Sequence, residues 1–434
     1  MSKTIRLTMA QALTRFLAAQ KTEIGGAKVP IFGGVWAIFG HGNVAGVGEA
    51  LYQVRDELPT FRAHNEQAMA HAAIAYAKAN FRRRFMAATT SIGPGALNMV
   101  TAAALAHVNR LPVLLLPGDV FANRLPDPVL QQAEDFSDGT ASVNDCFRPV
   151  SRYFDRITRP EQIIPALNRA MQVLTDPAEC GPVTLSLCQD VQAEAYDYPE
   201  SLFAERVWVP RQTRPDRREL AAAVAALKGA KRPLVIAGGG VLYSQASDEL
   251  AKLAQGAGIP VCETQGGKSS LPDDHPLNMA AVGVTGTSAA NRLAEEADVV
   301  LAVGTRLQDF TTGSWALFKN AGRTIIGLNV QAFDAGKHWA LPLVADAAEG
   351  LTELSTALKG WKAPTAWTDN AIKGKTEWQA AAAKVTASTN AAYPSDAQVI
   401  GAVQRAMGSD VTLLHAAGGL PGELHKLWQA GDPG

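Results

Sequence analysis

The residues best placed to do chemistry lie in the first hundred positions. In Arg62-Ala63-His64-Asn65-Glu66-Gln67-Ala68, a carboxylate opens a stretch that is otherwise small and apolar. Two readings fit Glu66. A helix N-terminus favours negative charge, which would make it an ordinary first-turn acid. A partly buried carboxylate aimed at a ligand nitrogen is the other, the placement that proton-transfer chemistry needs. Ser91-Ile92-Gly93-Pro94-Gly95-Ala96-Leu97-Asn98 follows an apolar run and precedes a helical one. Its glycines and proline make a sharp turn whose backbone can approach a ligand closely. Phe39-Gly40-His41-Gly42-Asn43 is a loop of the same kind, in which His41 is either a surface residue or part of a pocket wall. The eight histidines form no metal-ligand spacing, and no Ser/His/Asp set can be argued from order. The four cysteines include no C-x-x-C pair, which suits reduced thiols in a cytoplasmic protein.

These loops need a frame. Apolar strand-like runs alternate with Ala-rich helical stretches, a pattern of parallel sheets covered by helices. The expected strands are 29–39, 85–90, 112–116 and 183–187, with helices over 65–78 and 159–175. A Pro-, Tyr- and charge-rich segment, 195–218, reads as a linker. A second αβ unit follows over 219–359, with strands at 233–237, 298–303 and 324–328. A second linker is expected over 360–393, then a helix at 395–407 and a strand at 411–415. About 40 residues cannot bury a core alone, so 394–434 reads as a domain cut short. Hydrophobic residues at 47% supply large cores, and 40 basic against 41 acidic residues leave no nucleic-acid or membrane-surface footprint. No apolar run approaches the roughly 20 residues that cross a bilayer.

In order and spacing, three segments resemble the pyrimidine-binding domain of thiamine-diphosphate enzymes of the acetolactate synthase and pyruvate oxidase group. They are the F-G-x-G loop at Phe39–Gly42, His64-x-Glu66-Gln67-Ala68, and Ser91-x-Gly93-Pro94-Gly95-x-x-Asn98. Leu111 through Gly118-Asp119, and Gly181-Pro182-Val183 through Gln189-Asp190-Val191, extend the match. Arg232-Pro233 through Gly240, Asp273-Asp274-His275-Pro276 and Val303-Gly304-Thr305-Arg306 are similar to the group's middle domain. Within the group, Gly40-His41-Gly42-Asn43, Pro126-Asp127-Pro128-Val129-Leu130-Gln131-Gln132 and Phe147-Arg148-Pro149-Val150-Ser151-Arg152-Tyr153 resemble the ring-opening hydrolases of inositol breakdown.

The resemblance implies an α/β chain of successive doubly wound parallel-sheet domains of the thiamine-diphosphate-binding type. A pyrimidine-binding domain would span 5–194, a central domain 219–359, and the start of an incomplete diphosphate-binding domain 394–434. It implies that Glu66 is catalytic, hydrogen-bonding the pyrimidine ring of thiamine diphosphate. Gly40, His41, Gly42, Asn43, Gly93, Asn98 and Gln131 would join Glu66 in holding that cofactor. No metal ligand is assigned: members bind Mg2+ through a Gly-Asp-Gly motif with a downstream Asn, which this sequence lacks, so those ligands are expected beyond residue 434. Some members carry FAD in the middle domain. Gly283, Gly286, Thr287 and Arg306 lie on loops that could touch it, and ordinary turn residues are the alternative reading. The implied activity is hydrolytic C–C cleavage of a cyclic 1,2-diketone, a trihydroxycyclohexane-1,2-dione opened to 5-deoxyglucuronate. Competing readings are a 2-oxoacid carboligase and a non-catalytic relative. The expected assembly is a cytoplasmic homodimer or tetramer with no nucleic-acid or membrane partner.

Overall fold

The computed structural model describes residues 3–133, 135–408 and 411–433, and the chain divides into two compact units, residues 1–211 and 212–434. Expectations that touch residue 434 therefore lie partly outside the described residues.

The first unit is built on six parallel strands: β1 (Phe32–Ala37), β2 (Thr60–Arg62), β3 (Phe85–Thr90), β4 (Val113–Asp119), β5 (Tyr153–Ile157) and β6 (Pro182–Cys188), in the order β2-β1-β3-β4-β6-β5. Trp36 pairs with Ala88 and Ala88 with Leu115, and the register of β1 on β3 shifts once, between Phe32 and Val35. Strands β3, β4 and β6 are buried along their whole length, as parallel strands covered on both faces must be. Leu114, Leu116, Val183, Leu185 and Leu187 form one core with Leu13, Leu17, Leu167 and Met171 from helices α1 (Met9–Ala19) and α3 (Ile163–Thr175). Helix α2 (Glu66–Ala79) starts at the cap Asn65, whose Oδ1 accepts from Ala68 N at 2.8 Å. The chain leaves central β1 for edge strand β2, then crosses back to β3. This reversal opens a crevice at the carboxyl ends of β1 and β3, the place where doubly wound sheets bind ligands.

Two expectations for this unit are corrected. Residues 29–39 are not one strand: Ala27–Pro30 pairs antiparallel with Gln20–Ile24, and the chain turns at Ile31 into β1. Residues 195–218 are not simply a linker. Ala195–Pro199 pairs with Thr4–Thr8, and Arg206–Trp208 pairs with Gln20–Ile24. Tyr198, fully buried, anchors the first of these pairings by donating its OH to Pro160 O at 2.9 Å. Short edge strands of polar residues carry no sustained period, which is why the segment read as irregular.

The second unit repeats the plan with β7 (Pro233–Ala237), β8 (Val261–Glu263), β9 (Asn278–Ala281), β10 (Val299–Val303), β11 (Thr324–Asn329) and β12 (Leu341–Val344), all parallel in the order β9-β8-β7-β10-β11-β12. Alternate residues face opposite cores: Val235, Val261, Leu301 and Leu328 on one side, Leu234, Ile236, Cys262 and Val300 on the other.

The expected linker at 360–393 holds the 21-residue helix α4 (Thr365–Val385). It presents a narrow stripe at Trp367, Ala371, Gly374 and Ala382, and Trp367 Nε1 donates to Pro233 O at 2.8 Å. Lys375 Nζ donates to the carbonyls of Asp273 and His275, both at 2.7 Å. A stripe this thin, interrupted by charge and Thr, gives little periodic signal, and the helix forms because its few anchors find partners. Helices α5 (Asp396–Met407) and α6 (Gly419–Leu427) then close a small core of Ala382, Ile400, Leu424, Leu427 and Trp428. The strand expected at 411–415 does not form. Among the described residues no strand pairs with them, and a lone extended segment cannot satisfy its backbone in a sheet.

Glu263, only 2% exposed, ends β8 and accepts from Leu271 N at 3.0 Å and Ser269 N at 3.3 Å. Burial pushes its carboxyl up to about 7, against the pull of Lys268 and of those two N–H groups. The folded state thus holds a proton that the unfolded chain loses near its ordinary value of 4.5. The stability this contributes is complete below that value and is lost as pH rises towards 7. Denaturant midpoints measured across this range should fall less steeply for Glu263→Gln than for the parent; parallel profiles would remove Glu263 as the cause.

Candidate active site

Glu66 is the first residue of α2, immediately after edge strand β2. Its Oε2 accepts from Asn98 Nδ2 at 2.8 Å, which fixes the carboxylate across to the 91–98 turn. Its Oε1 accepts no hydrogen bond among the described residues. A Cβ on Gly95 would lie 3.3 Å from Oε1, so the missing side chain at 95 keeps that oxygen's face open. The half-buried carboxylate therefore has one oxygen held and one available.

The Gly-rich loop after β1 is packed backbone against backbone. A Cβ on Gly40 would sit 2.5 Å from Ser91 Oγ, one on Gly42 2.8 Å from Ile92 N, and one on Gly118 2.6 Å from Gly42 O. Asn43, 1% exposed, ties this loop to β3: Oδ1 accepts from Gly40 N at 2.9 Å, and Nδ2 donates to Ile38 O at 3.1 Å and Thr89 Oγ1 at 3.2 Å. Its side chain is a loop staple with no donor left to line a pocket. Gly93 adopts φ +68°, and a Cβ there would lie 1.9 Å from Gln131 O. Gln131 itself sits at φ +63° with an exposed side chain, so it meets the turn through its carbonyl. His41 Nε2 bonds Leu130 O at 2.9 Å.

The structure thus brings Glu66, Asn98, Gly95 and Gly93 to one edge, beside Gly40, His41 and Gly42. Sequence reasoning missed several supports. Gln192, 1% exposed, donates to Gly42 O at 2.7 Å and accepts from Val47 N at 3.3 Å. Asp119, fully buried at the end of β4, accepts from Ser142, Ser186, Val120 N at 2.8 Å and Arg156 Nε at 2.8 Å. Arg156 also reaches Asp145 Oδ1 at 3.0 Å, which Arg148 Nε meets at 2.7 Å. Burial acts to raise the Asp145 carboxyl, but hydrogen bonds from Arg148 and Ser142 N and the Arg156 charge outweigh it and leave it below the ordinary range. Asp119 follows an apolar run, and no local pattern signals partners 23 to 67 residues away.

In the second unit, Gly283 and Gly286 are explained by close backbone and side-chain contacts. A Cβ on Gly283 would lie 2.3 Å from Phe310 O, and one on Gly286 2.4 Å from Asn291 Oδ1. Thr287, fully buried, caps the helix Ser288–Glu296, accepting from Ala290 N and donating to Met279 O, both at 3.0 Å. Arg306 has interactions of its own. Among the described residues, no group of three or more His, Cys, Asp or Glu side chains could hold a metal ion. No helix among them is long and apolar enough to cross a membrane.

Comparison with known proteins agrees with this architecture. The family model for the thiamine pyrophosphate enzyme N-terminal TPP-binding domain matches residues 35–138, and that for the central domain matches 220–354. A 3D-(3,5/4)-trihydroxycyclohexane-1,2-dione hydrolase from Geobacillus thermodenitrificans is 44% identical over 452 aligned positions, covering 99% of this chain and 70% of that protein. Proteins of the same name from Bacillus cereus and Bacillus anthracis are each 42% identical, covering 99% of this chain and 71% of their own length.

Asp119 is the centre of the network under the site. Replacing it with Asn leaves Arg156, half-buried against a fully buried partner, only partly compensated, at a cost of about 3 kcal/mol. Equilibrium unfolding of Asp119→Asn should show a loss of that order, and a change below about 0.5 kcal/mol would mean the network is not structural.

Proposed function

The chain belongs to the thiamine pyrophosphate enzyme family, and from that premise we propose that it opens a trihydroxycyclohexane-1,2-dione by hydrolysis of the C–C bond between the carbonyls, giving 5-deoxyglucuronate. The observation that carries the reading is the Glu66 carboxylate at the sheet's reversal point, with Oε2 fixed by Asn98 and Oε1 left open by Gly95. Similarity to hydrolases of that name along nearly the whole chain supports the choice of substrate.

Thiamine diphosphate, when bound, supplies a nucleophilic carbon and an electron sink for breaking the bond between two carbonyls. The residues present fit its pyrimidine end. Glu66 Oε1 would accept a hydrogen bond from a ring nitrogen of the cofactor, and a charge-assisted bond of this kind is strong where water is excluded. Asn98 would hold the carboxylate in the orientation that leaves Oε1 forward. Gly40, Gly42 and Gly93 would act through their backbone, letting neighbouring loops close without side chains between them. Asn43 would keep the first loop rigid, while His41 and Gln131 would shape the wall beyond it.

Mg2+ accompanies the diphosphate in this reading, since hard oxygen ligands and phosphate suit it. Flavin is left out, a choice supported by the turn packing of Gly283 and Gly286. The active assembly would be at least a homodimer. The compartment would be the cytoplasm.

Glu66→Gln in the full-length protein should lower turnover of the dione by about a hundredfold or more. Its unfolding midpoint should stay at the parent value; parent-like turnover would defeat the assignment. Thiamine diphosphate with Mg2+ should stabilise the full-length protein saturably, by about 2.7 kcal/mol at a hundred times Kd. No stabilisation would favour a non-catalytic relative, and carbon dioxide release from pyruvate would favour a carboligase.

A further inference from the structure

After β4 the chain runs from 120 to 133 with no regular secondary structure. Its root is firm: Ala122 N and Asn123 N donate to the Asp190 carboxylate at 2.8 and 3.1 Å. Its far end is tied by Gln132 Nε2, which donates to Ser142 Oγ at 3.2 Å. Among the described residues, one hydrogen bond ties positions 124–131 to anything outside the segment, and that is His41 Nε2 to Leu130 O at 2.9 Å. Packing does not replace it. Leu125 and Leu130 are 86% and 68% exposed, and the segment borders a cavity of about 580 Å3 lined in part by Pro126, Val129, Gln132, Arg156 and Thr158.

The next residue, Gln131, sits in the turn that Gln132 N closes by donating to Val129 O at 3.1 Å. Gln131 is held in a left-handed conformation at φ +63°, with its carbonyl against Gly93, itself at φ +68°. A non-glycine residue in the left-handed region costs energy and persists only where its surroundings enforce it, whereas glycine adopts positive φ freely. Gly93 begins the turn that carries Gly95 and Asn98, the two residues that set the Glu66 carboxylate. A carbonyl can only accept, so the imidazole must donate from Nε2, which it does in one neutral tautomer and when protonated. The bond needs a donor at that point and no particular charge.

We propose that His41 is a positioning residue: its imidazole clasps the 120–133 segment at Leu130, presses the Gln131 carbonyl onto Gly93, and so fixes the wall of the Glu66 pocket that receives the cyclic dione. The role of that wall in turnover rests on the proposed function, whereas the clasp itself can be read without activity.

Glutamine can present an N–H donor near the point where His41 Nε2 lies, and phenylalanine cannot. Hydrogen exchange of the Gln132 amide, which donates to Val129 O at 3.1 Å across the turn at Leu130, should in the full-length protein be faster by up to about tenfold in His41→Phe, the range one such bond supports, and near the parent rate in His41→Gln. KM for the dione should rise by a similar factor in His41→Phe with a smaller change in kcat, and His41→Gln should restore it. Unchanged exchange in His41→Phe would overturn the clasp. Exchange restored in His41→Gln with activity still lost would overturn positioning, because the imidazole would then be doing chemistry. If even the parent does not turn over the dione, the proposed substrate fails, and the exchange comparison still decides the clasp.

Discussion

The first unit's site depends on the contact of two loop backbones with the end of β4 at the carboxyl edge of its sheet, with Gly42 at their centre. Its carbonyl meets Gly118 and accepts from Gln192, while its N–H donates to Ser91 Oγ at 3.3 Å. The loops after β1 and β3 and the end of β4 can approach this closely only where side chains are absent. A methyl group at position 40 or 42 would push the Ser91–Asn98 turn away from the first loop, and one at 118 would push that loop off the end of β4. Since Asn98 rides on that turn and Glu66 does not, the spacing between loops becomes the geometry of the Asn98–Glu66 bond.

Such close backbone contact needs a rigid base, and the charged network under it provides one. Asp119 takes four donors in a fully buried place, and Arg156 shares itself between Asp119 and Asp145. Ion pairs out of water gain little net stability over apolar packing, because desolvation offsets much of the attraction. What this one does is set position. Asn144 Nδ2 donates to Gly118 O and Ser186 Oγ, both at 2.8 Å, so the network joins the ends of β4 and β6 and the short helix at Val143–Val150. Gly118, fixed from below by Asn144, is the residue that Gly42 rests on from above.

The strands and Gly-rich turns were legible in the sequence because their causes are local. A buried parallel strand reads as an apolar run, as in Phe85–Thr90 and Pro233–Ala237, and a turn that brings backbones together reads as glycine. What stayed hidden has non-local causes. The helix Thr365–Val385 forms around Trp367 and Lys375, whose partners lie about a hundred residues or more earlier. Edge pairing of Ala195–Pro199 with Thr4–Thr8 joins segments nearly two hundred residues apart. The side chain of Asn43 looked like a ligand group because its type suits one, and only the fold shows that its amide is bonded to its own loop and to Thr89 of β3.

Glu66 admits two readings that the geometry makes one. A first-turn acid is favoured because the unpaired N–H groups and dipole of a helix stabilise negative charge there. A ligand-facing carboxylate must stay ionised while partly withdrawn from water, which ordinarily costs free energy. Placing the acid at the start of the 14-residue helix Glu66–Ala79 meets both demands, since the helix supports the charge and leaves the side chain's outward oxygen uncommitted. Asn65 satisfies Ala68 N as the cap, so the carboxylate of Glu66 is not drawn back to its own backbone. Asn98 then takes one oxygen from across the crevice. The position that a structural acid prefers is thus the position from which a carboxylate can best be offered to a ligand.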